Sequence, residues 1–468
     1  MKYTGINIGP IFQTFSMVRK PKELWAASYM FSYLMKCIID KLIENKYEII
    51  SPARLSSNAD KTIGLYPDRV FVKGEVDQKL LDDAFNLFAV NLVLDIQKTR
   101  PYFNIMSVTI DAEEKENVVM RLNRLLDRME LCNLESDEAA REVVFEYLRG
   151  DLVEMQQMAG KKFKNRSIET IASYDIFEGD NKKNNKTDKY ICIVQADGDN
   201  MGKVVSACPE PLVATLSEKL LDFGQACCQS ICDYGGLPIY AGGDDLLFLA
   251  PVLTFNGSIF DLIESLDGHY KAVQDYVGSK LGTEYQTSMS YGISMTYHKY
   301  PLYEALAKAQ ETLFVTAKNV TGKNAVAWTL QKHSGSSFKA ALSKDMSSLY
   351  NALKKVIDAT ENEQLVSAVS HKIRNNEVLL SLWLDDTDET IIKKRINNFF
   401  EKIIDVEGKD ANAISYMEAV KNLLLAVYQN ANSLSSETNR LIKMKELTNI
   451  VYGMLRTAKF VKGKEEDK

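Results

Sequence analysis

The sequence lacks the features that mark membrane and secreted proteins. No apolar run reaches the length of a membrane span, and the N-terminus has no signal-peptide layout. The 7 cysteines form no paired framework. Cys227, Cys228 and Cys232 fall within one predicted helix, where core thiols explain them better than zinc ligands do. We therefore expect a cytoplasmic protein with no membrane partner.

Composition and charge limit the class of protein further. With 46% hydrophobic and 26% charged residues, the chain has the composition of an ordinary globular protein. A net charge of −6 argues against a free-standing nucleic-acid-binding protein, although it leaves room for a local basic face inside an assembly. The 468 residues predict two to four domains.

The first informative motif is an apolar run that ends in acidic residues. Tyr190–Ala196 has the length and composition of a buried strand, and the sequence Asp197-Gly-Asp-Asn-Met-Gly202 follows it directly. The change from apolar to acidic residues predicts that Asp197 lies where this strand ends.

The second informative motif is a glycine and aspartate pair between two apolar runs. Within Leu237–Ala250, the tip sequence Gly242-Gly243-Asp244-Asp245 predicts a β-hairpin, because glycine tolerates the positive φ angles of tight turns. We expect the hairpin to place Asp244 and Asp245 opposite Asp197.

Converging carboxylates of this kind predict a site for hard divalent cations. Mg²⁺ prefers oxygen ligands and usually takes one or two carboxylates together with substrate phosphates. Two such ions, about 3.5–4 Å apart, can hold the attacking and leaving oxygens of a phosphoryl transfer. We predict two Mg²⁺ or Mn²⁺ ions, with Asp197, Asp244, Asp245 and the Gly198 carbonyl as ligands. The alternative is that both motifs are solvated turns.

The order of predicted elements defines the fold class as α+β. Around the two motifs the pattern reads β-α-β-β-α-β with one further α-β unit, which is the split-βαβ, ferredoxin-like arrangement. Its predicted helices and later strands are Leu212–Tyr234, Ile259–Leu281, Tyr285–Tyr297, Pro301–Asn319 and Ala325–Leu330. Beyond Gly335 the pattern predicts helix to the end of the chain, with a charged tail at Lys462–Lys468.

The N-terminal region predicts a weaker copy of the same plan. It has strand candidates at Tyr3–Gly9, Tyr47–Ile50 and Arg69–Lys73, and an amphipathic helix at Asp77–Lys98. Gly9-Pro10 stands where the later copy has Asp197, and no Gly-Gly-Asp-Asp sequence is present. We interpret this copy as catalytically silent.

These residues resemble the large palm-domain subunit of type III-B CRISPR effector complexes, a relative of the GGDEF cyclases. The resemblance covers nearly the whole chain. It rests on Ile8–Ile11 with Arg19–Ser28, on Tyr66–Arg69, on the two acidic motifs, and on Lys332–Gly335 with Leu455–Phe460. It implies two ferredoxin-like palm domains, a degenerate first palm at 1–110 and a catalytic palm at 186–335. A helical insert and linker at 111–185 and a C-terminal helical domain at 336–468 complete the expected layout.

The resemblance implies a subunit that works with other proteins, crRNA and target RNA and converts ATP into a signalling nucleotide. In most of the family that product is cyclic oligoadenylate; some relatives instead join AMP to S-adenosylmethionine. None of His269, His298, His333 and His371 is followed by Asp, so we expect no HD-type nuclease activity. The chain starts directly at the first palm and lacks the spacing of a cysteine zinc cluster.

Other residues have candidate roles in binding nucleotide or metal. Asp199 is expected beside the metal as a ligand or as an acceptor, and Gly242 and Gly243 let the backbone approach the nucleotide. Amides at a helix start can hold phosphate, which makes candidates of Asn200, Met201, Gly202 and Lys203; a solvated lysine explains Lys203 equally well. The resemblance places Lys318 and Lys323 near the triphosphate, although a helix C-terminus also favours lysine.

Ser288 and Ser290 share one strand face, which could touch adenine, although ordinary strand patterning explains them as well. Two further functions stay open on the residues alone. A diguanylate cyclase would share the Gly-Gly-Asp-Asp tip, but Leu246 follows it here and the rest of the chain would be superfluous. A non-catalytic nucleotide-binding scaffold would have no evident need for three converging carboxylates.

Overall fold

The computed structural model describes residues 1–53, 63–112, 117–132, 137–159, 167–173, 186–360, 363–385, 388–401 and 411–462. The predicted tail, apart from Lys462, and most of the predicted linker at Gly179–Asp188 lie outside these ranges.

Twelve strands form two main sheets and one small ribbon in the described part of the chain. They are β1 (Lys2–Gly9), β2 (Glu48–Ser51), β3 (Arg69–Lys73), β4 (Asn104–Asp111), β5 (Tyr190–Asp199), β6 (Leu237–Gly242), β7 (Asp245–Pro251), β8 (Leu253–Thr254), β9 (Gly257–Ser258), β10 (Ser288–Tyr297), β11 (Ala325–Gln331) and β12 (Ser337–Ser343).

The α-helices in the N-terminal half are α1 (Ile11–Met17), α2 (Pro21–Glu44), α3 (Gln78–Asn91), α4 (Ile96–Thr99), α5 (Val118–Leu131), α6 (Glu138–Arg149), α7 (Val153–Met158) and α8 (Ile168–Ala172). Those around the second sheet are α9 (Met201–Ala207), α10 (Glu210–Asp233), α11 (Ile259–Leu281) and α12 (Leu302–Glu311). The C-terminal helices are α13 (Ser347–Ala359), α14 (Glu363–Asn375), α15 (Glu377–Ser381), α16 (Glu389–Glu401), α17 (Ala411–Gln429), α18 (Ala431–Leu434) and α19 (Arg440–Lys462).

The first sheet has the strand order β2-β3-β1-β4, and β1 pairs antiparallel with both neighbours. With α2 and α3 as its crossovers, this is the ferredoxin-like plan that the sequence predicts. The strand that closes the sheet, β4, had not been predicted. Its residues are mostly half-buried, so the alternation of apolar and polar residues along it is weak.

The second sheet repeats the plan and extends it. Its order is β12-β11-β10-β5-β7-β6, in which the last four strands match the order of the first sheet. The strand β11 joins parallel to β10, and β12 joins antiparallel to β11.

The predicted helix beyond Gly335 is wrong over Ser337–Ser343, which forms β12. The sequence carried the signal for a strand, because Phe338, Ala340 and Leu342 alternate with more exposed or polar neighbours at a period of two residues. From α13 onward the described residues are predominantly helical, as predicted.

The central strand β5 is buried on both faces. Cys192, Val194 and Ala196 pack into a core with α10, α11 and the C-terminal helices. Ile191 and Ile193 face the opposite way into a core with α2, α3 and α12. A strand covered on both faces reads as a continuous apolar run. This is why the sequence around Asp197 stands out.

Two close contacts fix the C-terminal helices against the second sheet. The indole Nε1 of Trp328 donates to Thr457 Oγ1 at 2.9 Å, and both residues are buried. A side chain at Gly453 would lie 2.5 Å from the Lys339 carbonyl, so glycine lets α19 approach β12. Among the described helices, none is long and apolar enough to cross a bilayer.

Candidate active site at the ends of β5 and the β6–β7 hairpin

The hairpin forms where the sequence predicts it. Gly242 pairs with Asp245, so Gly243 and Asp244 are the two residues of the tip. Gly243 has a φ of 68°, a conformation in which a side chain would be strained. Asp244 therefore projects from the turn itself, and Asp245 is the first residue of β7.

The end of β5 lies directly beside this tip. A Cβ atom at Gly198 would lie 2.5 Å from Asp244 Oδ2, so the aspartate packs on the bare glycine backbone. Asp197 and Asp245 lie within hydrogen-bond reach of each other, which contributes to the raised pKa of Asp245. The structure thus brings together Asp197, Gly198, Asp244 and Asp245, as predicted from the two motifs.

Burial and mutual repulsion disfavour the fully ionised form of the carboxylate cluster. Burial raises the pKa of Asp244 to about 7, and the Asp197 carboxylate adds to the effect. Burial also raises the pKa of Asp245 well above its usual range, and the Asp244 and Asp197 carboxylates raise it further. Any added cation would stabilise the ionised form of the cluster.

Lys318 already supplies one positive charge. Its Nζ forms an ion pair with Asp197 Oδ2 and donates to the carbonyl oxygens of Asp197 at 2.8 Å and Gly198 at 3.1 Å. It also lies 2.8 Å from Asp199 Oδ1. Only 12% of the lysine side chain is exposed. Lys318 therefore fixes the backbone at the end of β5 as well as neutralising it.

Asp199 is the anchor of this arrangement. Its side chain is 0% exposed. The carboxylate accepts from Ser288 Oγ at 2.7 Å, from Ser290 Oγ at 2.8 Å and from the backbone N–H of Asn324 at 2.9 Å. Burial acts to raise the pKa of Asp199, but the bonds from Lys318, Ser288 and Ser290 outweigh it and leave the pKa below its ordinary value. Asp199 is thus saturated by protein donors.

The segment that carries Lys318 departs from regular helix. After α12 the chain forms a π-helical turn at Thr312–Thr316 and a 3₁₀ turn at Ala317–Asn319. A Cβ atom at Gly292 would lie 2.3 Å from the Leu313 nitrogen, so this glycine of β10 lets the segment pack against the sheet. π-helical turns of this kind often occur at functional sites.

The loop at Gly322–Asn324, which follows the 3₁₀ turn, has a strained backbone. Gly322, Lys323 and Asn324 have φ angles of 84°, 57° and 43°. Two consecutive residues with side chains in the left-handed region are uncommon, and the surrounding structure must hold them there. The bond from the Asn324 N–H to Asp199 and the bond from Asn324 Nδ2 to Asp345 Oδ1, at 2.8 Å, do so. These bonds hold the backbone next to Lys323 against Asp199.

The remaining predicted residues surround the site without joining its carboxylates. Asn200 has a φ of 63°, and Met201 is a buried residue whose sulfur accepts from Tyr270 and Thr287. Gly202 borders open space, and Lys203 is exposed on α9. The hydroxyls of Ser288 and Ser290 donate to Asp199. Their predicted contact with adenine stays a prediction.

The contribution of the first palm to this site was not predicted from the sequence. The segment at Gly64 bridges to Tyr240, and the Ala241 N–H donates to the Gly64 carbonyl at 3.0 Å. The same segment brings Asp68 close enough for its carboxylate to raise the pKa of Asp245 further. A long-range contact of this kind leaves no local signal in the sequence. The resemblance drew on Tyr66–Arg69 but assigned Asp68 no role beside the carboxylates.

The donor set suits a divalent ion that also binds substrate. Within the described residues, no three His, Cys, Asp or Glu side chains form a preformed metal cage. Carboxylates whose charge is poorly neutralised, next to backbone carbonyls, fit a Mg²⁺ or Mn²⁺ that completes its shell with phosphate oxygens and water. The residues available for it are Asp197, Asp244 and Asp245.

Fold and site together define a class of protein. The second sheet and its helices form a ferredoxin-like palm with carboxylates at the end of its first strand and at its hairpin tip. The family model described as Cas10/Cmr2, second palm domain, matches residues 190–327, and the one described as CRISPR-associated protein Cmr2, N-terminal, matches residues 3–77. Both of these regions of the chain are thus similar to domains of the Cas10/Cmr2 family.

One known protein is similar to part of the chain in sequence. The CRISPR system Cmr subunit Cmr2 of Pyrococcus furiosus is 32% identical over 182 residues, which is 32% of this chain and 19% of that protein. The match therefore spans about a fifth of the length of that relative.

Solved structures share the fold. A type III-B Cmr-beta structure in the apo state matches with a TM-score of 0.54 and 10% identity, over 90% of this chain and 81% of the other. The same complex bound to cognate target RNA matches with a TM-score of 0.53 and 9% identity, over 90% and 82%. A Csm1–Csm4 cassette in complex with pppApA matches with a TM-score of 0.51 and 12% identity, over 91% and 69%.

Proposed function

We propose that this chain is the nucleotide-synthesising subunit of a type III-B CRISPR effector complex. It converts ATP into cyclic oligoadenylate, a signalling nucleotide of antiviral defence, when the complex recognises target RNA. The observation that carries the proposal is the convergence of Asp197, Asp244 and Asp245 at the end of β5 and the hairpin tip. The Csm1–Csm4 cassette, which shares the fold, has been solved with pppApA, a product of joining two adenosine nucleotides.

The reaction is an in-line displacement at phosphorus. The 3′-hydroxyl of one nucleotide loses its proton and attacks the α-phosphorus of an ATP; a 3′–5′ phosphodiester forms and pyrophosphate leaves. Two Mg²⁺ or Mn²⁺ ions held by Asp197, Asp244 and Asp245, with the Gly198 carbonyl as a further ligand, would neutralise the triphosphate and favour the ionised hydroxyl.

The residues of the chain provide position and charge for this reaction. A side chain at Gly243 would meet no atom within 4 Å, so phosphate can approach the backbone of the tip there, whereas the space beside Gly242 is filled by Tyr240. Lys318 is ion-paired with Asp197 and Asp199, and Lys323 precedes the Asn324 N–H that bonds to Asp199; we assign both lysines to the triphosphate. Asp199 holds Lys318 and the loop in place through the contacts described above. Asn200, Met201, Gly202 and Lys203 border the same edge.

The proposed partners are the other subunits of the complex, crRNA and target RNA. The Cmr-beta complex with cognate target RNA contains a chain of the same fold, matched over 90% of this chain. The seven cysteines are all free thiols, which suits the reducing cytoplasm proposed as its location.

The test is the identity of the product. The complex, reconstituted with crRNA and activated by target RNA, is incubated with ATP and Mn²⁺, with and without S-adenosylmethionine, and the products are analysed by mass spectrometry. Cyclic oligoadenylate in both reactions is the expected result. An adduct of AMP that forms only with S-adenosylmethionine would replace the proposed product. No product from the assembled, RNA-bound complex would contradict the proposal and favour a nucleotide-binding scaffold.

A further inference from the structure

A second surface, away from the carboxylates, has the features of a binding site. At the junction of β12, α14 and α19, cationic side chains lie over two neighbouring aromatic rings, Phe338 and Tyr452. The ring centroids are 6.1 Å apart. We name this surface the cation–aromatic strip; its residues are Lys332, Phe338, His371, Arg374, Tyr452 and Arg456.

The cations of the strip are stacked on the rings. Arg374 lies 4.7 Å from the centroid of Tyr452, and Arg456 lies 5.1 Å from Phe338 and 6.0 Å from Tyr452. Lys332 lies 5.6 Å from Phe338. His371 packs against Tyr452 with ring centroids 6.1 Å apart. The contacts join three elements into one continuous surface.

The positive charges of Arg374 and Arg456 are not neutralised by carboxylates of the described residues. Among the described residues, neither Arg374 nor Arg456 is paired with a carboxylate, and the Arg456 Nε has no hydrogen-bond partner. Arg374 is exposed and Arg456 is half-buried. A guanidinium held flat on a ring has already lost much of its rotational freedom, so it donates to an incoming anion at a lower entropic cost.

The surrounding charge favours a polyanion. The helix α19 carries six Lys and Arg residues against a single glutamate, in a chain whose net charge is −6. Such a concentration of positive charge on one element of an acidic protein is the electrostatic footprint of a nucleic-acid contact. Flat guanidinium and aromatic groups also stack on unpaired bases, which selects a single strand over a duplex.

We propose that the cation–aromatic strip binds single-stranded RNA, with Arg374 and Arg456 on phosphates and the ring–cation stack against bases. The stacked cations and rings of the strip define where the nucleic acid binds and favour a single strand over a duplex. The choice of RNA rests on the proposed function. Phe338 pairs with Leu330 at one end of β11, whereas Ala325 at the other end follows Asn324, which bonds to Asp199. The strip is therefore separate from the carboxylate cluster and adds an RNA contact to the nucleotide site.

The test measures RNA binding by the full chain without ATP or metal, so that the nucleotide site plays no part. Fluorescence anisotropy of a labelled 20-nucleotide single-stranded RNA of mixed sequence is recorded across a range of salt concentrations. We expect R374A/R456A to bind at least about 10-fold more weakly than the natural chain at low salt. The slope of log affinity against log salt should fall by about 1.4, since each phosphate contact on a single strand contributes about 0.7.

Three controls make the result specific. R124A/R128A removes the same charge from exposed positions of α5 and should keep affinity within about 2-fold. R374K/R456K keeps the charge but loses the flat guanidinium, and should recover only part of the affinity. Arg374→Glu, at an exposed position, should weaken binding without affecting the fold, which a thermal melt confirms.

Three results would overturn the proposal. One is a natural chain that does not bind the RNA at low salt. Another is an equal loss of affinity in R124A/R128A, which would reduce the effect to net charge. The third is normal RNA binding by R374A/R456A together with its failure to enter the reconstituted complex, which would assign the strip to an acidic neighbouring protein.

Discussion

The two palms have the same strand order but differ at the positions where chemistry would take place. In the first palm β1 ends at Gly9, and Pro10 follows; in the second, β5 ends in Asp197-Gly198-Asp199. The first palm joins β2 to β3 through a long connection, whereas β6 and β7 meet at a two-residue tip that carries Asp244. The shared fold is set by the buried faces of the strands, and the difference is confined to a few strand-end residues.

The first palm uses the corresponding region for contact. The end of its β2–β3 connection pairs with the edge strand β6, through Gly64 and Ala241, next to the hairpin tip. A duplicated fold can therefore keep its packing while one copy supplies the carboxylates and the other supports them.

Removal of the hairpin carboxylates should abolish the proposed activity. In D244A/D245A, we expect product formation by the activated complex to fall by at least about 100-fold, because the metal ligands are lost. The matched control is D82A/D83A, an adjacent aspartate pair on α3 of the first palm, which should leave turnover unchanged. Quantified product from ATP measures both variants. Normal turnover by D244A/D245A would contradict the site assignment.

Loss of the buried carboxylate of Asp199 in the second palm should lower the free energy of unfolding more than loss of the hydrogen bond between Thr4 and Thr109 in the first palm. Asp199→Ala leaves Lys318 and the N–H of Asn324 without their buried partner, and should lower the free energy of unfolding by about 3–5 kcal/mol. The comparison is Thr109→Val in β4, which removes a 2.8 Å bond to Thr4 and should cost about 1 kcal/mol.

Urea unfolding of the two variants measures these costs. In the double variant D199N/K318M, removal of both charges should restore part of the stability that Lys318→Met alone loses. Equal costs for Asp199→Ala and Thr109→Val would contradict the anchoring role of Asp199.

One glycine at the end of each first strand should respond differently to a methyl group. Gly198→Ala places its Cβ 2.5 Å from Asp244 Oδ2, and the overpacking should cost about 1–3 kcal/mol and weaken Mn²⁺ binding. Gly9→Ala meets its nearest atom at 3.9 Å and should be nearly neutral. Thermal melts with and without Mn²⁺ compare the two. A neutral Gly198→Ala would show that Asp244 does not pack where the structure has it.

The smallest effect is a pH dependence of the metal-free protein. The pKa of Asp244 is raised to about 7 by burial and by the Asp197 carboxylate. Because the pKa of the folded state exceeds that of the unfolded chain, this group's contribution to stability is complete below about pH 4 and is lost as pH rises through about 7. The melting temperature should fall by a few degrees over that range.

The control for this pH dependence is Asp244→Asn, in which the fall should be smaller. Mn²⁺ should restore the melting temperature at high pH, because it neutralises the ionised cluster. A slope that is the same in Asp244→Asn would assign the pH dependence to other groups.

Much of the fold could be predicted because its signals are local. The helix at Ile259–Leu281 and the hairpin around Gly243 follow from periodicity and turn chemistry and appear where predicted. The strand β12 was assigned to helix because a short alternating segment was outweighed by the long helical pattern after it. The partly buried β4 gave too weak a pattern to be recognised.

In the candidate site too, some residues could be predicted from local sequence patterns and others could not. Asp197, Asp244 and Asp245 stand at abrupt changes from apolar to acidic sequence, so their approach could be foreseen. The bonds of Asp199 to Ser288, Ser290 and Asn324 depend on long-range register between β5 and β10 and on a strained loop. The approach of Asp68 depends on how two domains pack. No local pattern encodes either arrangement.

The most direct measurement is the number of Mn²⁺ ions bound by the full chain, determined by electron paramagnetic resonance with a non-hydrolysable ATP analogue. We predict two Mn²⁺ ions per chain in the natural protein and in D82A/D83A, and a loss of tight Mn²⁺ binding in D244N/D245N. No tight binding by the natural chain, or unchanged binding by D244N/D245N, would contradict the claim that the second palm holds the metal.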